Sequence, residues 1–123
     1  MILADSSVWV HHIRHGNAAL VALIEQKALV CHPFVVGELA CGDLPSWRSN
    51  VQEFQLLPQA PLMRHDEVLM LIERHRLMAS GIGWVDAHVL GSTLLAGAYL
   101  WTLDKPLARA AAKLSVLAHP VQG

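Results

Sequence analysis

Cysteine and charge are both scarce in this chain. Cys31 and Cys41 are the only cysteines in 123 residues, too few for a disulfide framework and without the repeated spacing of a zinc pattern, which points to a reducing compartment. Only 15% of the residues are Asp, Glu, Lys or Arg and the formal net charge is −1. A broad basic surface for gripping nucleic acid is therefore missing. That exclusion has one exception: four carboxylates committed to cations would leave the remainder of the chain at +3, and a loaded site would itself attract phosphate. Long apolar runs are absent too. The longest uncharged stretch, 87–103, carries His88, Ser92, Thr93 and Thr102 and falls short of the roughly 20 apolar residues that span a bilayer. Residues 1–4 lack the basic and apolar regions of a secretory signal, so no export is expected and the expected location is the cytoplasm.

What is present is apolar content. With 54% hydrophobic residues the chain can bury one core but not two, which predicts a single domain over 1–123, with no repeat, linker or low-complexity segment. A mean hydropathy of +0.39 and four Trp suggest that some apolar surface meets a partner. Val8, Trp9 and Trp47 are the candidates, with Val8 better read as core and Trp47, between Ser46 and Arg48, as partly exposed.

Apolar periodicity predicts strands over 1–4, 28–31, 98–103 and 114–118, and a weak one at Leu56-Leu57. Helices are predicted from Val8 to the Gly16-Asn17 break, over 18–26, from Pro33 to about Cys41, and over 44–55. A further amphipathic helix spans 64–77, with Val68, Leu69, Ile72 and Leu77 inward, and two more cover 84–96 and 106–113. Strands alternating with helices make an α/β domain around a mostly parallel sheet.

The informative feature is where the acids stand. Asp5 is the only charge before Arg14, Glu38 the only one between Lys27 and Asp43, and Asp86 the only one between Arg76 and Asp104, which itself ends a long uncharged stretch. A carboxylate in apolar surroundings is costly unless paired, hydrogen-bonded or bound to metal, and cations are sparse nearby. Asp5 and Asp104 each follow a predicted strand, where open α/β sheets form their ligand crevice. Clustered carboxylates of this kind select hard divalent ions, Mg²⁺ or Mn²⁺. Taken singly, Asp5, Asp86 and Asp104 are better explained as helix caps, with Ser6 or Ser7 as rival caps at the first helix. Glu38, mid-helix one turn after Phe34, resists that account.

Four segments carry a resemblance: Ile2-Leu3-Ala4-Asp5-Ser6-Ser7-Val8-Trp9, Val36-Gly37-Glu38-Leu39, Gly83-Trp84-Val85-Asp86-Ala87 and Leu100-Trp101-Thr102-Leu103-Asp104. In order and spacing they resemble the PIN-domain nucleases, and among them the VapC-type toxins of bacterial toxin–antitoxin pairs. The resemblance implies a three-layer α/β/α sandwich with a parallel sheet, and Asp5, Glu38, Asp86 and Asp104 as metal-binding and catalytic acids holding Mg²⁺ or Mn²⁺. Ser6 and Thr102 match hydroxyl residues that orient carboxylates or water. Such toxins cut RNA, pair with a cognate VapB-like antitoxin and commonly form homodimers; no membrane is involved. The expected chemistry is hydrolysis by metal-activated water, leaving a 5′-phosphate and a 3′-hydroxyl. Lys105 and Arg109 are candidates to hold RNA phosphate, or form an ordinary cationic face. His88 departs from the family pattern, where an aliphatic residue is expected, and is read as a packing residue.

Other classes fit less well. A receiver domain would share a Lys-Pro pair such as Lys105-Pro106, yet no Asp follows Leu57, and an aspartyl-phosphate phosphatase needs Asp where Ser7 stands. His11 and His15 share a helix face at zinc spacing, but no third ligand is placed. The remaining alternative is a catalytically silent PIN-like module that binds RNA or an antitoxin.

Overall fold

The computed structural model describes residues 1–119. Its elements run β1 (Ile2–Ala4), α1 (Ser6–His15), α2 (Ala18–Glu25), β2 (Leu29–Val30), α3 (Pro33–Cys41), α4 (Trp47–Leu56), α5 (His65–Arg74), α6 (Trp84–Ala96), β3 (Tyr99–Trp101) and α7 (Lys105–Lys113). The three strands form a parallel sheet in the order β2-β1-β3, with helices on its faces in an α/β/α sandwich. Leu3, Ala4, Leu29 and Leu100 are buried, as the unalternating apolar strands required. Leu3 pairs with both Val30 and Leu100, and Ala4 with Trp101. All strands therefore end at one edge, and the residues after them, Asp5, His32 and Thr102, arrive there together. No helix among the described residues is long and apolar enough to cross a membrane.

Local chemistry sets the helix starts. Asp5 caps α1 through Val8 N–H and Asn17 caps α2 through Leu20 N–H. At α3 the cap is a histidine: His32 Nδ1 accepts the Phe34 N–H at 2.9 Å, with Pro33 in the first turn where its missing N–H costs nothing. Helix α6 is buried from Ala87 to Thr93 and ends on Gly97 at φ 62°, a left-handed C-terminal stop suited to glycine. Gly91 lets α6 approach Met63, since a Cβ there would come within 2.6 Å of the Met63 sulfur.

Several sequence expectations need correction. The Leu56-Leu57 strand does not form: Leu56 closes α4, and the extra sheet contact is a Cys31↔Gln59 bridge two residues later. Helix α4 begins at Trp47 and α5 ends at Arg74, both shorter than periodicity suggested. On α5 Val68 is buried as expected and Leu71 joins it, whereas Leu69 is 58% exposed. The final strand is reduced to one bridge, Leu100↔Leu117. Val8 and Trp9 are both core, and Trp47 is 51% exposed with its indole N–H on the Ala40 carbonyl.

Candidate active site

Asp5 directly follows β1, and its own N–H donates to the Trp101 carbonyl at 3.1 Å, which fixes it against the end of β3. The residue is only 5% exposed. Its Oδ1 accepts from Ser7 Oγ at 2.5 Å and from Val8 N at 3.3 Å, and its Oδ2 accepts from Thr102 Oγ1 at 2.5 Å. Both hydroxyls are themselves anchored. Ser7 Oγ accepts the Leu103 N–H at 2.9 Å, and Thr102 Oγ1 accepts the Asp104 N–H at 3.0 Å. Two backbone N–H groups of the turn after β3 thus reach Asp5 through two hydroxyl relays. Oδ1 has both lone pairs engaged, so the one left open on this carboxylate is on Oδ2. Burial pushes the Asp5 carboxyl above the ordinary aspartate value, the three hydrogen bonds oppose the rise, and Asp86 adds to it.

Glu38 stands on α3, where it lines one cleft together with Ser6 at the start of α1. Although Glu38 keeps an exposed surface, the protein crowding its carboxyl raises its affinity for a proton, Ser6 opposes that, and Asp86 and Asp5 add to it. Asp86 lies in the first turn of α6, half-buried, with Oδ2 accepting the Gly83 N–H at 3.2 Å. Asp104 is exposed and caps α7, Oδ2 accepting the Leu107 N–H at 3.1 Å. Gly81, at φ 92°, brings the loop before α6 against Pro106, where a Cβ would meet the proline at 3.2 Å. The helix starts that bear Asp86 and Asp104 are therefore neighbours.

Three of the four acids expected from sequence act on one another as charges: Asp86 on Asp5, and Asp86 and Asp5 on Glu38. The fourth, Asp104, is tied to Asp5 through Thr102, while its carboxylate is occupied as a helix cap. The premise that isolated acids lie in apolar surroundings holds for Asp5, whereas Glu38 and Asp104 are exposed. Thr102 donates to the Asp5 carboxylate, and Ser6 lines the same cleft as Glu38. Ser7 is the residue that sequence reasoning passed over except as a cap. Lys105 and Arg109 lie exposed on α7.

The donor chemistry suits a hard divalent cation. All four groups are carboxylates, and the ion pairs among the described residues, Arg64–Asp66 and Arg64–Glu67, neutralise none of them. The described residues hold no ready-made cage, since no three His, Cys, Asp or Glu side chains already converge as metal ligands. That also leaves His11 and His15, whose rings are 5.2 Å apart, without a third zinc ligand. His88 is buried and packs as expected, with Nε2 2.8 Å from His65 Nδ1 and Nδ1 without a partner.

No protein-family model matches the chain. Two curated relatives do, Ribonuclease VapC32 from Mycobacterium tuberculosis strains CDC 1551 / Oshkosh and ATCC 25618 / H37Rv, each 45% identical over 117 residues and covering 94% of this chain and 94% of the relative. Identity at that level across nearly the whole of both chains leaves no room for an unrelated fold: the chain belongs to the VapC-type PIN-domain ribonucleases.

Proposed function

We propose that this chain is the toxin of a toxin–antitoxin pair, an endoribonuclease that hydrolyses RNA phosphodiester bonds with Mg²⁺ or Mn²⁺ at Asp5, Glu38, Asp86 and Asp104. The observation that carries it is the buried Asp5 carboxylate, held by Ser7, Val8 N–H and Thr102 with a lone pair of Oδ2 open, where Asp86 acts on it as a like charge and, among the described residues, no Lys or Arg pairs with it. Such an arrangement is unfavourable unless a cation joins it. A bound divalent ion would polarise a phosphodiester oxygen and lower the pKa of a bound water.

The chain's own groups do the positioning. Ser7 and Thr102 fix the Asp5 carboxylate with Oδ2 open, Ser6 lies in the same cleft as Glu38, and the Gly83 N–H holds Asp86 at the helix start. Asp104, exposed at the start of α7, would complete the set from the turn after β3, and Lys105 and Arg109 offer exposed cations to RNA phosphates along α7. Hydrolysis adds water across the P–O3′ bond, leaving a 5′-phosphate and a 3′-hydroxyl, and no protein nucleophile is required. For the antitoxin, support comes from an apolar cleft of about 590 Å³ between α1, α2 and α4, lined by Trp9, Ile13, Ile24, Phe54 and Leu57. A homodimer and a cytoplasmic setting complete the proposal.

The separation of the acids also suits a silent RNA- or antitoxin-binding module, and one experiment decides between them. Calorimetric titration with Mn²⁺ should show binding, and RNA should be cut into fragments with 5′-phosphate ends in a reaction abolished by EDTA. Absence of both Mn²⁺ binding and cleavage would leave the silent module, whereas cleavage undiminished by EDTA would refute the metal.

Ser7 provides a finer check. Ser7→Ala removes a charge-assisted hydrogen bond worth about 1.5–3 kcal/mol, so cleavage should fall roughly tenfold or more, while Ser7→Thr retains most of the rate. Equal rates for all three proteins would reduce Ser7 to an ordinary helix residue.

A further inference from the structure

The cleft that Glu38 shares with Ser6 does not stop at the carboxylates. It encloses about 320 Å³ between α1 and α3, with Ser6, Val10, Ile13 and Arg14 on one wall and Glu38 and Asp43 on the other. The four α1 residues stand at i, i+4, i+7 and i+8, which is one face of a helix. Helices α1 and α3 both begin where the parallel strands end, so both lead away from Asp5. Arg14 and Asp43 therefore mark the far end of the cleft.

Arg14 is the only Lys or Arg on these walls. It is exposed and, among the described residues, takes part in no ion pair, although Asp43 lines the same cleft. A cation in the last turn of α1 suits the helix dipole. His12 and His15 stand in that turn as well, so the dipole does not account for a free guanidinium in the cleft of Glu38.

We propose that Arg14 binds a backbone phosphate of the RNA next to the one being cut, so that the α1 wall of this cleft sets the path of the strand to the carboxylates. The inference rests on the ribonuclease reading above and adds to it a substrate-positioning residue. The helix rises by about 12 Å from Ser6 to Arg14, which places the guanidinium beyond the phosphate at the metal and level with a neighbouring one. Its planar fork of donors matches two phosphate oxygens at once. Asp43 acts in the opposite sense, since an exposed carboxylate repels the same backbone. A cation on one wall and an anion on the other hold a polyanion to the α1 side. A chain at net charge −1 has little general attraction for phosphate, so one free guanidinium beside the site carries more of its grip.

The test uses the full chain carrying Asp5→Asn to stop cleavage, and a fluorescein-labelled RNA oligonucleotide read by anisotropy between about 50 and 200 mM salt. Arg14→Gln should weaken binding about three- to tenfold at the lowest salt. It should also reduce the slope of log affinity against log salt by about 0.7, the share of one phosphate contact on a single strand. Arg14→Lys should keep most of that slope, and Asp43→Asn should tighten binding. Lys27→Gln makes the same charge change on an exposed residue before β2, at the opposite edge of the sheet, and should leave the slope as it is. Thermal melting confirms that the variants fold. Equal slopes for the parent and Arg14→Gln, or equal losses for Arg14→Gln and Lys27→Gln, would overturn the proposal. So would a change in sedimentation on Arg14→Gln with RNA binding intact, which would assign Arg14 to a protein interface. In the chain with native Asp5 and Mn²⁺, Arg14→Gln should raise KM more than it lowers kcat. Cleavage by that chain with Arg14 in place reports on the ribonuclease reading independently of the binding results.

Discussion

Asp5→Asn should lower RNA cleavage by on the order of 10²–10³-fold, the equivalent of several kcal/mol of transition-state stabilisation lost with one carboxylate, and yet leave the protein at least as stable at pH 7. The two effects have one origin. Asp5 is enclosed at the end of β1, and burial raises its proton affinity above the ordinary aspartate value near 3.8. The ionised form that a cation requires is therefore the form the folded protein tolerates least. Asparagine has nearly the same shape and carries no charge to desolvate. Its carbonyl can keep one hydroxyl donor, and Ser7 or Thr102 can turn to accept from its amide.

The sign of the pH dependence is fixed as well. A carboxyl whose pKa is raised on folding binds more protons in the native than in the unfolded state, so its contribution to stability is fully present below the unfolded pKa and is lost as the pH rises through the folded one. Asp5→Asn should remove that slope. Cleavage kinetics with Mn²⁺, and thermal melting from pH 7 down to the ordinary aspartate range near 4, measure both halves. Activity within tenfold of the parent would take Asp5 out of the chemistry, and a marked loss of stability at pH 7 would mean that its charge serves the fold.

How much of this was legible in the sequence depends on whether the signal was local. Asp5 could be found because both its clues, a lone charge and a preceding apolar strand, lie within a few residues of it. Glu38 was singled out on a premise that fails, since its side chain is exposed. Helix α3 is apolar enough to look buried all round, and only the packing of α1 and α6 against it decides that the Glu38 face stays open. For Asp86 and Asp104 the sequence offered capping or a site, and the structure shows both at helix starts, Asp86 on the Gly83 N–H and Asp104 on the Leu107 N–H. Ser7 carried no local signal, since its importance comes from Asp5 on one side and the Leu103 N–H, 96 positions away, on the other. Leu56-Leu57 misled because an apolar pair before proline reads as a strand, whereas Leu56, 84% exposed, merely finishes α4. What integrated these fragments was the order of four short motifs, which no single segment could supply.

The same long-range reach governs His32 and sets the second large expectation, a loss of about 3 kcal/mol of stability from this residue alone between pH 6.5 and 4. His32 is fully buried, and burial, helped by His88, lowers its pKa from 6.5 to about 4. Because Nδ1 accepts the Phe34 N–H, the ring proton sits on Nε2 and donates to Ser92 Oγ. Protonating Nδ1 would remove the cap of α3, the helix that carries Glu38. A histidine with a depressed folded pKa binds fewer protons in the native state, so its full contribution is present above pH 6.5 and is lost as the pH falls toward 4. His88 titrates in the same sense, while Asp5 and Glu38, raised rather than lowered, work in the opposite one.

His32→Asn separates these contributions. Asparagine is a favoured N-cap and can still accept the Phe34 N–H, but it neither titrates nor fills the space to Ser92. The variant should be the less stable protein at pH 7. Its deficit should then shrink by about 1.4 kcal/mol per pH unit below 6.5, because His88, Asp5 and Glu38 are common to both proteins and cancel in the difference. Urea unfolding at pH 7, 5.5 and 4.5 gives that difference directly. A deficit that stays constant across the three values would show that the His32 ring accepts a proton in the folded protein as readily as in the unfolded one, and would remove the acid sensitivity from the junction of β2 and α3.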